Sequence, residues 1–321
     1  MSESILAIIG GGRWGQVHLS IAAKLFVPFD RIIVVSAANV RALNAYVAEL
    51  NKTSHTPIEI VNTLDELLER QGLKAAIIVN LARQHFETAR LLLNNKVSLL
   101  IEKPVVLTQI EMRILIDTAL QQNICIVPGL NYRFCSYLKN FSDLVAKKTH
   151  IKQFSLDWTD IRDEQRYGRI KRVDPSISIV EDVIPHVWTI ISQIFMDNII
   201  KVIHCEREDN SKAHLNLLVN NIPGKVDLNR HGDYRKRLLS LKFESGNLIL
   251  DFSEEPGIII SGDEKQNADP QWHEKLSPLA RQLEYFFMRV AEGKSDFDDL
   301  QCCLGSVKCL EDAVIASLVT A

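Results

Sequence analysis

Residues Ile5 to His18 read ILAIIGGGRWGQVH. The five residues from Ile5 to Ile9 are almost wholly apolar, as in a strand buried on both faces. Gly10, Gly12 and Gly15 follow in G-x-G-x-x-G spacing, and Val17, Ile21 and Leu25 then fall four apart on one helical face. The glycines therefore occupy a strand-to-helix turn. Gly10 permits the tight turn, Gly12 lets a pyrophosphate approach the backbone, and Gly15 lets helix and strand pack closely. The start of the helix offers unpaired N–H groups and a positive dipole end to phosphates. The stretch predicts a dinucleotide site.

Outward from it the chain alternates. Apolar segments at 31–35, 58–61, 75–79, 97–101 and 124–128 read as strands, separated by helical patterns that include 108–122. Thr63 before Asp65 and Glu66 is a helix N-cap signal. The alternation predicts a parallel, doubly wound sheet with ligands beyond the carboxyl ends of its strands. His85 and Lys103 lie at such ends. The second strand ends in Ser36-Ala37-Ala38-Asn39, with Arg41 close behind and no carboxylate to repel a ribose 2′-phosphate. Ser36 could donate a hydrogen bond and Arg41 could pair with that phosphate, which favours NADP over NAD.

The pattern changes after residue 128. A helix opens at Asn131-Tyr132-Arg133-Phe134, 151–159 reads as a strand, and 162–172 is charged and irregular. A helix is expected over 182–196. Strands at 200–207, 213–220, 237–243, 247–252 and 257–261 are marked off by turns, including Asn221-Ile222-Pro223-Gly224. Two helices, 277–293 and 297–320, end the reading. The expected fold is α/β: a Rossmann domain over 1–128 and an α/β domain over 129–321 with an open, largely antiparallel sheet. Should Leu215, Leu217 and Val219 point outward, that sheet needs a partner subunit, so a homodimer or homotetramer is expected.

Bulk numbers exclude several classes. With 321 residues, 46% hydrophobic and 24% charged, the chain has an ordinary globular composition and room for about two domains. A net charge of −3 carries no nucleic-acid footprint. No apolar run reaches the roughly 18 residues of a membrane span, and the opening MSES is no signal peptide. The six cysteines form no C-x-x-C pair and no Cys/His cluster has zinc-ligand spacing, so no metal is expected. Thiols in a reducing cytoplasm are the reading.

Two places could carry chemistry. Lys103 follows an apolar strand and precedes a proline, so it is either a surface lysine or a donor to a substrate oxygen. Asp182 and His186 lie four apart and share a helical face. Pro185 between them is tolerable if the helix starts near Asp182, which puts His186 by the positive dipole end. His186 is then a general acid/base tuned by Asp182, or a half-buried histidine behind an N-cap aspartate.

Taken together these elements resemble the glucose–fructose oxidoreductase/inositol dehydrogenase/MocA-like family (Gfo/Idh/MocA). The resemblance rests on Gly10-Gly11-Gly12-Arg13-Trp14-Gly15, His85 after strand 75–79, Glu102-Lys103-Pro104, Tyr132-Arg133-Phe134, Asp182 with His186, and Ser277-Pro278 before a helix with Phe286-Phe287. It implies an NAD(P)-dependent oxidoreductase that moves a hydride between a nicotinamide and a carbonyl or imine carbon. Lys103, His186 and Asp182 would be catalytic. Gly10, Gly12, Arg13, Trp14, Gly15, Ser36, Arg41, Asn80, Leu81, His85 and Glu102 would line the cofactor. An imine reductase, a redox-cofactor glycosidase and a non-catalytic NADP(H)-binding regulator are the alternatives. Ile184 and Pro185 stand where the family is more open, and with Trp158, Trp188 and Tyr167 they predict a pocket more apolar than a sugar needs.

Overall fold

Six strands form one wholly parallel sheet: β1 (Ile5–Ile9), β2 (Arg31–Val35), β3 (Ile58–Val61), β4 (Leu73–Ile78), β5 (Ser98–Glu102) and β6 (Ile126–Gly129). The computed structural model describes residues 3–319 except 26, 39, 149, 163, 167, 168, 171, 172 and 196–198. The strand order is β3-β2-β1-β4-β5-β6, so the direction of winding reverses beside β1. The glycine loop leaves β1 at that switch point, where open α/β sheets bind ligands. The connecting helices are α1 (Arg13–Ala22), α2 (Val40–Leu50), α3 (Leu64–Leu68), α4 (His85–Asn94) and α5 (Gln109–Gln122). As expected, Thr63 caps α3: its Oγ1 accepts the Glu66 N–H at 3.2 Å.

The second sheet has eight strands. The elements after β6 are α6 (Ser136–Val145), β7 (Gln153–Ile161), β8 (Gln165–Arg166), β9 (Arg169–Ile170), α7 (Ile179–Ile194), β10 (Ile200–Arg207), β11 (Lys212–Val219), β12 (Ile222–Gly232), β13 (Lys236–Phe243), β14 (Gly246–Asp251), β15 (Ile258–Ser261) and β16 (Glu264–Asn267). The order is β10-β11-β12-β7-β13-β14-β15-β16, antiparallel except where β12 meets β7. β12 is absent from the sequence reading, because Pro223 and Gly224 resemble turn punctuation. The turn lies earlier: Asn220 and Asn221 take φ of 51° and 67°, the two left-handed residues of a type I′ hairpin between β11 and β12. A Cβ on Gly224 would collide with the Phe154 ring, so the glycine admits that ring between the strands. Leu215, Leu217 and Val219 are buried at 2%, 2% and 0% exposure, not turned outward. The alternate residues of β11, His214 and Asn216, take the exposed face.

Two helices follow, α8 (Pro278–Glu292) and α9 (Phe297–Val319). The chain divides into one unit of Met1–Gly129 with Leu279–Leu304, and another of Leu130–Pro278 with Gly305–Ala321. The expected second domain, 129–321, thus loses Leu279–Leu304 to the first unit. The cause is the apolar face of α8. Leu283, Phe286 and Phe287 join Leu6, Val34 and Val127 in the core of the parallel sheet, and Phe287 meets Phe29 edge-on at 5.6 Å.

Candidate active site

In the first unit the glycine loop is built by close backbone approach. Gly10 has φ +124°, and a Cβ there would lie 2.9 Å from the Val79 carbonyl. A Cβ on Gly15 would overlap the Gly10 carbonyl oxygen. These two glycines are demanded by the protein. Gly12 differs: its φ of −68° suits any residue, and a Cβ there meets nothing within 4 Å. It is exposed at the N-cap of α1, where the helix's first N–H groups and its dipole point. A glycine required by neither backbone nor packing leaves space for a phosphate group against the main chain. The loop therefore fits a dinucleotide pyrophosphate. Arg13 and Trp14 open α1, both half-buried.

Beside the loop, Ser36 follows β2. Its N–H donates to Val61 and its hydroxyl donates to the Ala38 carbonyl at 3.1 Å. Arg41 is exposed in the first turn of α2, which carries no acidic residue. The rim after β2 is therefore free of carboxylates up to Arg41, as the sequence indicates.

After β4 the chain turns at Asn80 and Leu81. Asn80 donates its amide to Thr88 Oγ1 at 3.0 Å, and Leu81 is 50% exposed. His85 is nearly fully buried, with Nδ1 2.8 Å from the Pro104 carbonyl oxygen and Nε2 3.2 Å from that of Asn80. The ring stitches the loop after β4 to the loop after β5. Burial holds its pKa below the ordinary histidine range, although both carbonyls and the Glu102 charge pull the other way. Both of these ring contacts are to backbone carbonyls.

Glu102 ends β5 and is 5% exposed. Its carboxylate accepts from His18 Nε2 at 2.9 Å, from the Trp14 side chain, and from the Lys103 backbone N–H at 3.2 Å. Burial alone would raise its pKa; the contacts with His18 and Trp14, with the Lys103 charge, hold it below the usual carboxylate range. Lys103 is half-buried beside it. His18, fully buried on α1, is a member of this cluster that the sequence reading missed. Its place three residues after Gly15 was the available signal, since Trp14 and His18 are four apart on one face of α1.

In the second unit, α7 begins at Ile179, three residues before the expected start. Ser178 and Glu181 form a capping box: the Ser178 hydroxyl accepts the Glu181 N–H at 3.3 Å, and the Glu181 carboxylate accepts the Ser178 N–H at 2.7 Å. The S-x-x-E spacing carried that signal. Pro185 consequently lies inside the helix, and His186 stands beyond the first turn, where the macrodipole has largely faded. Asp182 accepts a hydrogen bond from Arg230 at 3.2 Å. Arg230, on β12, also donates to the carbonyls of Ile177, Ser178 and Asn210. Because β12 escaped the sequence reading, so did this partner.

His186 sits among aromatic rings. Trp158 stacks on it at 5.3 Å with 15° between the planes, and Tyr132 meets it edge-on at 5.0 Å. The guanidinium of Arg237 lies 3.6 Å from the Trp158 ring centroid, itself paired with Asp160. Burial pushes the Tyr132 hydroxyl up to about 12, so it is a neutral phenol at physiological pH. Trp188 packs over Gly305, a position where a Cβ would strike the indole. Tyr167 lies outside the described residues. Ile184 and Pro185 are core residues of α7, with Ile184 at 0% exposure, so neither narrows an open pocket as expected from the sequence. Among the described residues no group of three or more His, Cys, Asp or Glu could hold a metal ion. No described helix is long and apolar enough to cross a membrane.

Several solved structures share this fold. The UDP-N-acetylglucosamine 3-dehydrogenase GnnA from Acidithiobacillus ferrooxidans is 17% identical, with a TM-score of 0.77 over 100% of this chain and 99% of its own. A 3-ketoreductase from Actinomadura kijaniata, in complex with TDP-benzene and NADP, is 13% identical, with a TM-score of 0.77 over 98% of each chain. GenD2 from gentamicin A biosynthesis, in complex with NAD, is 15% identical, with a TM-score of 0.78 over 99% of this chain and 95% of its own. No curated protein sequence is significantly similar to this chain. Residues 5–129, however, match the NAD-binding Rossmann fold of the Gfo/Idh/MocA oxidoreductases, the segment that carries the glycine loop and Glu102-Lys103-Pro104. Over that segment the chain is similar to the Gfo/Idh/MocA oxidoreductases.

Proposed function

We propose that the protein is an NADP(H)-dependent oxidoreductase acting on a carbonyl carbon of a small molecule. The observation that carries this is Gly12: an exposed glycine at a helix N-terminus whose Cβ would enter empty space, in a domain of an NAD-binding oxidoreductase family. The cofactor, when bound, supplies or accepts the hydride. Gly10 and Gly15 shape the loop, and the backbone at Gly12, with Arg13 and Trp14, receives the pyrophosphate. Ser36 and Arg41 hold the 2′-phosphate. Asn80 and Leu81 border the rest of the cofactor, while His85 and Glu102 set the loops that carry them.

Lys103 orients and polarises the substrate oxygen as a fixed cation. His186 exchanges the proton, and Asp182, held by Arg230, supports the start of the helix that carries it. Trp158 and Tyr132 fix the plane of the imidazole. With Ile184 and Pro185 in the core, the objection to a hydroxylated substrate drops away. The named structural neighbours include enzymes of UDP-N-acetylglucosamine and of a 3-keto group, so a nucleotide-linked sugar is the first substrate class to try. We place the enzyme in the cytoplasm.

Fluorescence titration tests the cofactor. NADPH should bind at least about 10-fold tighter than NADH, since a charge-assisted phosphate contact contributes about 1.5–3 kcal/mol. Equal affinities would overturn the NADP assignment. Oxidation of NADPH across a panel of keto-sugar nucleotides and simpler ketones tests the reaction. Tight NADPH binding with no turnover on any member would favour a sensor over an enzyme.

A further inference from the structure

We propose that Trp14 and His18 are positioning residues for Lys103, acting through the buried carboxylate of Glu102. The proposal rests on the role given to Lys103 above. Among the described residues Glu102 has three hydrogen-bond partners: the Trp14 side chain, His18 Nε2 at 2.9 Å, and the backbone N–H of Lys103 at 3.2 Å. Two of them come from α1, the helix whose N-cap is Gly12. The third is the reacting residue itself.

His18 is 0% exposed and Glu102 5%, so water is not available to replace either bond. An ionised carboxylate at that depth must be satisfied by fixed donors, and these donors fix its orientation in return. Trp14 and His18 also pack edge to face at 5.7 Å, which leaves little freedom in either ring. His18 Nδ1 is buried with no hydrogen-bond partner among the described residues. The side chain is therefore held at this depth for its one bond to Glu102, not for a wider network. On the other side of Lys103, the Pro104 carbonyl is held by His85 at 2.8 Å.

The consequence is mechanical. One short helix presents its first N–H groups to the cofactor phosphates and the side chains of Trp14, in its first turn, and His18, one turn further along, to the anchor of Lys103. Cofactor and lysine are thereby referred to the same rigid element. Hydride transfer depends on sub-ångström placement of the reacting atoms, so a common support for both is the useful arrangement.

The test reads the position of Lys103 without needing the substrate. Purified full-length protein is labelled with trinitrobenzenesulfonate, and Lys103 modification is quantified by peptide mapping relative to Lys74, an exposed lysine of β4. The variants are Trp14→Phe, which keeps a ring and loses the indole N–H; His18→Leu, which fills space and donates nothing; and His18→Gln, which restores a donor. Trp14→Phe and His18→Leu should raise the Lys103/Lys74 ratio by about threefold or more, the scale of one lost hydrogen bond. His18→Gln should return it to the wild-type ratio. An unchanged ratio in Trp14→Phe, or a His18→Gln protein as disturbed as His18→Leu, overturns the proposal. Should His18→Leu fail to fold, the other two variants decide. The labelling ratio does not depend on whether Lys103 acts in catalysis. Loss of positioning and loss of the catalytic reading are thus separable, the latter being read from Lys103→Ala turnover.

Discussion

Arg230 donates a hydrogen bond to the carboxylate of Asp182 at 3.2 Å, across from β12 to the first turns of α7. Arg230 is 7% exposed, and its two terminal nitrogens also donate to three backbone carbonyls. Arg230 thus secures both Asp182 and the capped start of the helix that carries His186.

Removing it should be costly. Arg230→Met removes a hydrogen bond to a half-buried carboxylate and those to three backbone carbonyls. A loss of about 3 kcal/mol in the stability of the second unit is expected. Urea unfolding monitored by the tryptophans of that unit, Trp158, Trp188 and Trp272, measures it. A shift below about 0.5 kcal/mol would mean that water replaces the guanidinium at no expense.

The two glycines of the loop should behave oppositely. Gly15→Ala drives a Cβ into the Gly10 carbonyl and should destabilise the first unit by several kcal/mol. Gly12→Val places its Cβ in open space and should keep the wild-type melting temperature while losing NADPH binding. Melting curves with and without NADPH separate the cases. A stable Gly12→Val protein with normal NADPH affinity would remove the pyrophosphate assignment.

His85 predicts an acid sensitivity. Its folded pKa lies below the unfolded value of 6.5, because burial disfavours the charged ring. Above 6.5 both states are neutral and the stabilising contribution is complete. As pH falls below 6.5 the unfolded chain takes up a proton that the folded one refuses, so stability declines down to the folded pKa. Exposed His214, whose pKa is raised chiefly by the hydrogen bond to Asp227, has the opposite sign and its share is lost as pH rises. The comparison to make is therefore between wild type and His85→Gln. The variant's melting temperature should fall less steeply between pH 6.5 and 5; equal slopes would show that the ring titrates as an exposed one.

Lys103 and His186 should be distinguishable once a substrate is found. Lys103→Ala should lower turnover at every pH by about 10²–10³, as for loss of a fixed electrostatic donor. His186→Ala should lower it by about 10²–10⁴ and also remove a limb of the pH–rate profile near neutrality, where histidine ordinarily titrates. Both variants should bind NADPH normally. Survival of the neutral limb in His186→Ala, with its disappearance in Lys103→Ala, would exchange the roles.

The parallel sheet and its ligand-binding end were legible in the sequence because both are encoded locally. An apolar run buried on two faces, three spaced glycines and a following helical period all lie within Ile5 to Leu25. Each constrains its own few residues regardless of what packs around them. The N-cap at Thr63 was readable for the same reason, and the S-x-x-E box at Ser178 would have been.

What depended on residues distant in the chain was decided by the fold alone. Glu102 finds His18 across 84 positions, and Asp182 finds Arg230 across 48. Neither pairing leaves a trace in local composition. β12 looked like a turn because Pro223 and Gly224 break strands in isolation, whereas here Gly224 makes room for Phe154 and the left-handed Asn220-Asn221 pair supplies the reversal. Helix α8 shows its apolar face in the sequence, but the choice of which sheet to cover belongs to packing: Leu283 and Phe286 fill the core of the first. Periodicity fixes which side of an element is buried, and only the assembled core fixes what that side is buried against.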